Sequence, residues 1–246
     1  MADVRDRSVH LSINSVVAGY STHDVILDGI SLKAPKNETT VILGPNGSGK
    51  STTLRAILGL VNVRSGSITF DGAEITGLST YLRAELGIAF LPQGHSVFPQ
   101  MTVEENLLLG GWNFGRDRAA LLASYERTLD EYPLLRDMTR RKAGLLSGGQ
   151  QRLLEVARLM LPDPSLVLID EPSVGLAPMF VEEVYEHIER LKAKGKTVIV
   201  VDQNVQAAVD LADYVYILEF GRVASEGVVG DYSSDVGAIV KEWLRV

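Results

Sequence analysis

Short apolar runs bounded by glycine, proline and acidic turns alternate along this chain with segments whose apolar residues recur every three to four positions. The first pattern belongs to buried strands and the second to amphipathic helices. His10 to Val17 alternates loosely through Leu11, Ile13, Val16 and Val17 and predicts a strand, with Ala18 to Ser21 as the turn after it. Ile30 to Ala34 and Ser67 to Phe70 predict two more short strands, the latter ended by Asp71-Gly72. Thr40 to Leu43, Gly87 to Leu91, Ser165 to Ile169, Thr197 to Val201 and Tyr214 to Leu218 are apolar enough to be buried. A helix opens at Lys50 and carries Leu54, Ile57, Leu58 and Leu60. Between Gly94 and Pro162 the strand signal stops, and Val103 to Leu109, Ala119 to Tyr132 and the stretch after Ser147 read as helices. Pro178 opens a further helix through Val181, Val184, Tyr185, Ile188 and Leu191 that Gly195 ends. Val205 to Leu211 and Val236 to Val246 complete the helices. The expected fold is α/β: a mainly parallel sheet, a small antiparallel β subdomain and an inserted α-helical subdomain. A single domain over 1–246 is expected, with residues 1–93 and 163–246 as its core and 94–162 as the helical lobe.

The turn between Leu43 and the first helix changes the picture from fold to chemistry. It reads Gly44, Pro45, Asn46, Gly47, Ser48, Gly49, then Lys50, Ser51 and Thr52. Strand, GxxxxGK[ST], helix is a P-loop in its required context. Its glycines let backbone N–H groups converge on phosphate oxygens, and the helix N-terminus adds positive potential there. Lys50 reaches β- and γ-phosphates, and the Ser51 hydroxyl suits Mg²⁺.

Other polar residues fall where buried strands stop, which is where open α/β sheets bind ligands. Asp170 and Glu171 end one strand: the first can hold Mg²⁺, and the second can polarise an attacking water. Gln93 follows another, where its amide can touch the metal or water or serve as an ordinary loop residue. Ser147, Gly148, Gly149 and Gln150 open a helix. Ser and Gln three apart make a capping box, but two adjacent glycines cost helix propensity and suggest close approach of an anion. A second anion site beside one triphosphate pocket suggests assembly. Tyr20 lies in a turn, where it either stacks on a base or packs as a loop tyrosine.

Composition narrows the class without deciding it. The chain has 246 residues, 46% hydrophobic and 22% charged, with net charge −7, which disfavours a non-specific nucleic-acid partner. It has no cysteine, which excludes thiol chemistry. The opening MADVRDRSVH lacks the apolar core of a secretory signal, and no apolar run is long enough to span a bilayer. Neither a repeat nor a low-complexity segment is evident, so one nucleotide site is expected per chain.

Together these residues resemble the ATP-binding cassette (ABC) ATPases over nearly the whole chain. GPNGSGKST at Gly44 to Thr52 matches the Walker A loop, and LVLIDE at Leu166 to Glu171 the Walker B strand. LSGGQ at Leu146 to Gln150 matches the signature, Gln93 the Q-loop and Ser173 to Ala177 the D-loop. The resemblance implies that Tyr20 stacks on adenine, that ATP and Mg²⁺ are bound, and that Glu171, Lys50 and Gln203 serve hydrolysis. It further implies a second ATPase subunit, identical or not, which offers its Ser147 to Gln150 segment to this chain's nucleotide. Transmembrane permease subunits, a solute-binding protein and a peripheral place on the cytoplasmic face of the membrane follow from the same resemblance, with Gly94 to Asn106 as the permease-facing surface. FPQMTVEENL, EPSVGLAP and VDQN resemble importers of branched-chain amino acids, amides or urea; a lipid or lipopolysaccharide exporter and a soluble non-transport ATPase are the alternatives. Two positions depart from the family. Gln203 stands where a histidine is usual, and it can donate a hydrogen bond but carries no proton near neutral pH. Asn37 stands where glycine is common and tolerates the same left-handed backbone.

Overall fold

A computed structural model describes residues 8–21, 23–94, 96–174 and 178–228. The D-loop residues 175–177 and the expected helix from Val236 lie outside them.

Among the described residues ten strands form two sheets. The larger is built from β3 (Thr39–Leu43), β6 (Ile88–Leu91), β7 (Leu166–Asp170), β8 (Thr197–Val201), β9 (Tyr214–Glu219) and β10 (Arg222–Val228), in the order β10-β9-β3-β8-β7-β6. All pairs are parallel except β9 with β10, a hairpin turned at Phe220-Gly221. The register sets Leu91 opposite Ile169, Asp170 opposite Val201 and Val201 opposite Ile42, so the carboxyl ends of four strands reach one edge. The smaller sheet is antiparallel, in the order β2 (Leu27–Pro35), β1 (Val9–Gly19), β4 (Asn62–Phe70), β5 (Ala73–Glu74).

The continuous apolar runs of the parallel strands have a packing reason. Val41, Leu43, Val167, Ile169, Val198 and Val200 enter one core. That core also takes residues of α3 (Val103–Leu109), α4 (Arg118–Glu131), α5 (Pro133–Arg136), α6 (Gly148–Met160), α7 (Pro178–Ala193) and α8 (Val205–Leu211). Ile42, Leu168, Ile199 and Val201 enter the other, against α1 (Lys50–Leu58) and the antiparallel sheet. A sheet covered on both faces needs apolar residues at every position.

Local differences from the sequence reading have local causes. Ala18 and Gly19 extend β1 instead of turning, because they pair with β2 and β4. Helix α1 stops at Leu58 because Gly59 adopts φ 74° and caps it, leaving Leu60 outside and exposed. Four strands or α-helices among the described residues went unpredicted: β5, β10, α5 and α2 (Thr80–Glu85), which caps on Ser79. Each is short or polar, so neither period is visible in it. Asn37 takes φ 59°, as the glycine-like turn requires.

Within α2, Arg83 is almost wholly buried and faces only carbonyls: Ala56 and Ile57 at the end of α1, Thr76 and Leu78 before α2. A buried cation on the last carbonyls of α1 complements the negative end of that helix, the one whose first turn carries Lys50.

Candidate active site

The edge where β3, β6, β7 and β8 end collects the site. The turn after β3 closes tightly: Gly44 has φ 151°, and a Cβ there would lie 2.2 Å from the Leu218 carbonyl oxygen. Gly49 has φ 103° and serves as the N-cap of α1, so its N–H groups open toward the loop without side-chain cover. Lys50 is buried and folds back over the loop, donating to the carbonyls of Gly44 at 2.8 Å and Pro45 at 3.1 Å. Burial lowers its pKa, opposed by the negative charges of Glu171, Asp170 and Asp202.

From β7 comes the acid pair. Asp170 Oδ1 accepts from the Ser51 hydroxyl at 2.9 Å, which joins Walker B to Walker A. Burial raises the Asp170 pKa, Ser51's hydrogen bond opposes this, and neighbouring Glu171 adds to the rise. Glu171 adopts φ 45°, an uncommon backbone for a non-glycine residue. Such strain costs about 1–3 kcal/mol and persists where surrounding structure holds it. Here the Glu171 N–H donates to the Val201 carbonyl at 2.8 Å.

The Glu171 carboxylate is held by two amides from separate loops. Gln93 Nε2 donates to Oε2 at 2.6 Å and Gln203 Nε2 donates to Oε1 at 2.5 Å. The sequence reading left Gln93 between a metal or water contact and an ordinary loop role, and gave Gln203 an amide hydrogen bond to donate. In this structure both donate to the Glu171 carboxylate, because the parallel register brings the ends of β6, β7 and β8 side by side. Asp202 fixes the second loop: its Oδ1 accepts from the backbone N–H of Gln203 at 2.7 Å and of Asn204 at 2.9 Å, and Tyr185 donates to Oδ2 at 2.5 Å. Burial raises the Asp202 pKa against those hydrogen bonds. The sequence reading gave Asp202 no role, although an acid directly after a buried strand is the same signal that marked Asp170.

Lys50, with Arg55 also acting on Asp170, thus faces three carboxylates, a balance that suits a divalent cation. Ser51 and Asp170 supply two convergent hard oxygens, the donor type Mg²⁺ takes when phosphates and waters complete its shell. Among the described residues no group of three His, Cys, Asp or Glu side chains forms a metal cage.

Two predicted elements stand apart. Tyr20 is half exposed at the rim, its hydroxyl 3.4 Å from Thr52 Oγ1, with the Arg55 guanidinium donating to it and lying 5.7 Å from its ring. Ser147 is exposed at the start of α6 and forms the capping box: Gln150 N–H donates to Ser147 Oγ at 3.3 Å, and Ser147 N–H to Gln150 Oε1 at 3.0 Å. A Cβ added to Gly148 would meet nothing within 4 Å, so nothing within the chain demands glycine there. No hydrogen bond among the described residues joins this tip to the phosphate loop.

The expected permease-facing surface is only partly exposed. Val103 is fully buried and Val97 packs on the same core, while Phe98 stays half exposed. Phe98 instead helps line a cleft of about 810 Å³ between α2, β6 and the helices after it, with Leu60, Leu86, Leu109, Trp112 and Arg158. Trp112, one of its lining residues, packs against Tyr81 with ring centroids 5.0 Å apart.

The family model described as "ABC transporter" matches residues 27–174. The "Probable branched-chain amino acid transport ATP-binding protein LivF" of Archaeoglobus fulgidus is 40% identical over 215 residues, spanning 87% of this chain and 90% of its own. The "High-affinity branched-chain amino acid transport ATP-binding protein BraG" of Pseudomonas aeruginosa is 38% identical over 213 residues, with the same shares. The "Lipopolysaccharide export system ATP-binding protein LptB" of Haemophilus influenzae is 33% identical over 230 residues, spanning 92% and 93%. Among solved structures, a nucleotide-free ATP-binding cassette from an ABC transporter superposes with TM-score 0.82 at 28% identity, covering 94% of this chain and 95% of that one. An ATP-binding cassette in its ADP conformation gives 0.82 at 29%, covering 94% and 97%.

Proposed function

The chain belongs to the ABC transporter family, and we propose that it is the ATP-hydrolysing subunit that powers uptake of branched-chain amino acids or related amides through a separate permease. The observation that carries the enzymatic reading is the convergence of Lys50, Ser51, Asp170 and a doubly held Glu171 on one sheet edge. The solute class is supported by relatives at 40% and 38% identity that are described as branched-chain amino acid transport proteins. The lipopolysaccharide-export relative is less similar, at 33%.

In this reading the loop Gly44, Pro45, Asn46, Gly47, Ser48, Gly49 wraps the phosphates with backbone N–H groups, and Thr52 lies beside them at the start of α1. Lys50 leaves the loop carbonyls for the β- and γ-phosphate oxygens. Ser51 and Asp170, with the Gln93 side-chain carbonyl, would hold Mg²⁺, which would neutralise charge on the phosphates. Glu171 accepts the proton of the water that attacks the γ-phosphorus in line, while the bond to the β–γ bridging oxygen breaks and ADP leaves. Gln203 holds that carboxylate and donates toward the γ-phosphate. Tyr20 stacks on the adenine. Catalysis is then positioning and charge stabilisation more than covalent chemistry.

Two such cassettes would close head to tail. The open space before Gly148 supports a role for Ser147, Gly148, Gly149 and Gln150 at the partner's nucleotide. The helices within 94–162 would form the lobe that moves. The apolar cleft with Phe98, Leu109 and Trp112 suits an amphipathic cytoplasmic helix of the permease, and a solute-binding protein would deliver the cargo. Attachment to the cytoplasmic face of the membrane is then peripheral; among the described residues no helix is long and apolar enough to cross it.

Cells lacking this chain should lose uptake of leucine, isoleucine and valine, and regain it with the wild-type chain but not with Glu171→Gln. Unchanged uptake would overturn the solute assignment. A purified chain that binds Mg·ATP but releases no phosphate, alone or with its permease, would overturn the hydrolytic one.

A further inference from the structure

Three charged residues on one face of α6, at positions i, i+3 and i+6, grip the chain around Gln93. The nearly buried Arg152 donates through Nη1 to the carbonyls of Pro92 at 3.4 Å and Gly94 at 3.2 Å, the residues on either side of Gln93. The same nitrogen meets Glu155 Oε2 at 2.9 Å. Glu155 Oε1 accepts from the backbone N–H of Ser96. Arg158 Nη2 donates to the Ser96 carbonyl at 2.9 Å and hydroxyl at 2.8 Å.

This helix is the one that starts at Ser147. A helix is stiff along its axis, and five residues of it span only about 8 Å. Motion of the Ser147 tip therefore reaches the backbone of Pro92 and Gly94 with little loss, and Gln93 between them ends on Glu171. The pair is poorly arranged for stability alone. Among the described residues Arg152 Nε and Nη2 and Arg158 Nη1 are buried without hydrogen-bond partners. Buried guanidinium groups left partly unpaired cost free energy, and apolar residues of similar size would serve packing as well or better. The spare N–H groups can donate to other carbonyls once the loop shifts.

We infer that Arg152, backed by Glu155, is a positioning residue for hydrolysis: it gears the Ser147 end of α6 to the Gln93–Glu171 contact. Engagement of the tip by a partner's nucleotide thereby changes how Glu171 is held in this chain's own site, a direct mechanical link between two nucleotide sites. The inference rests on the hydrolytic reading above.

The test uses the full chain carrying Arg152→Met, and the double variant Arg152→Met/Glu155→Met, which leaves no unpaired buried carboxylate should the single variant misfold. ATP affinity by equilibrium binding, steady-state kcat and KM, and the melting temperature are compared with wild type. The expected result is a folded double variant with affinity and KM within threefold of wild type and kcat lowered more than fivefold. A folded double variant whose kcat falls less than fivefold overturns the inference, as does a kcat loss matched by an equal loss of ATP affinity. Failure of the wild-type chain to hydrolyse ATP would instead sink the underlying reading.

Discussion

Gln203 Nε2 lies 2.5 Å from Glu171 Oε1, so an uncharged amide orients the acid best placed to receive the water's proton. An amide holds this hydrogen bond at any pH near neutrality, whereas a histidine there would titrate. Gln203→Ala should lower kcat by about tenfold, the scale of losing one oriented hydrogen bond of about 1.4 kcal/mol. Gln203→His should add an inflection between about pH 6 and 7 to the kcat profile. Steady-state phosphate release across pH reads both, and a loss in Gln203→Ala as large as that in Glu171→Gln would make the amide more than an orienting group.

Glu171→Gln keeps the shape of the side chain and removes its basicity. Turnover should fall by about 10² or more, the usual contribution of a positioned base, with ATP affinity retained. Binding of a fluorescent ATP analogue alongside single-turnover hydrolysis separates the two effects. Near-normal turnover would remove Glu171 from the role of base.

His10 links stability to pH. It is buried against Phe70, with Nδ1 2.6 Å from Thr197 Oγ1. Burial pushes its pKa below 6.5, Lys36 adds to the shift, and Asp71, itself paired to Lys36 at 2.5 Å, opposes it. The folded chain thus resists a proton that the unfolded chain accepts. Its contribution is complete above pH 6.5 and is lost as pH falls from there toward the lowered folded value. The melting temperature of wild type should therefore drop between pH 7 and 5 by more than that of His10→Gln; equal drops would show that His10 is not the group responsible.

Arg83→Leu should destabilise the chain by about 3 kcal/mol or more, because four carbonyls lose a charged donor inside the fold. In a domain of this size that lowers the melting temperature by roughly 10 °C. Thermal unfolding followed by circular dichroism measures it, and a shift under 2 °C would mean that water reaches those carbonyls.

The P-loop strand and helix, the acid pair ending β7 and the capping box at Ser147 were legible because each is a local pattern. The spacing of a few residues settles backbone conformation and the direction of its N–H groups, whatever the rest of the chain does. The short polar strands and α2 were illegible for the complementary reason: no period of apolar residues marks them, and they exist only through pairing and caps made elsewhere.

What the sequence determined by itself was the kind of chemistry, through residues next to one another. What tertiary structure alone decided was which distant side chains meet: Gln93 lies 78 residues from Glu171 and Gln203 lies 32 residues from it, and both reach one carboxylate. The same holds for Arg152 on the carbonyls beside Gln93, some 60 residues away. Such contacts follow from strand order and register in a parallel sheet, where connections are long and a shift by one residue would turn each side chain to the opposite face.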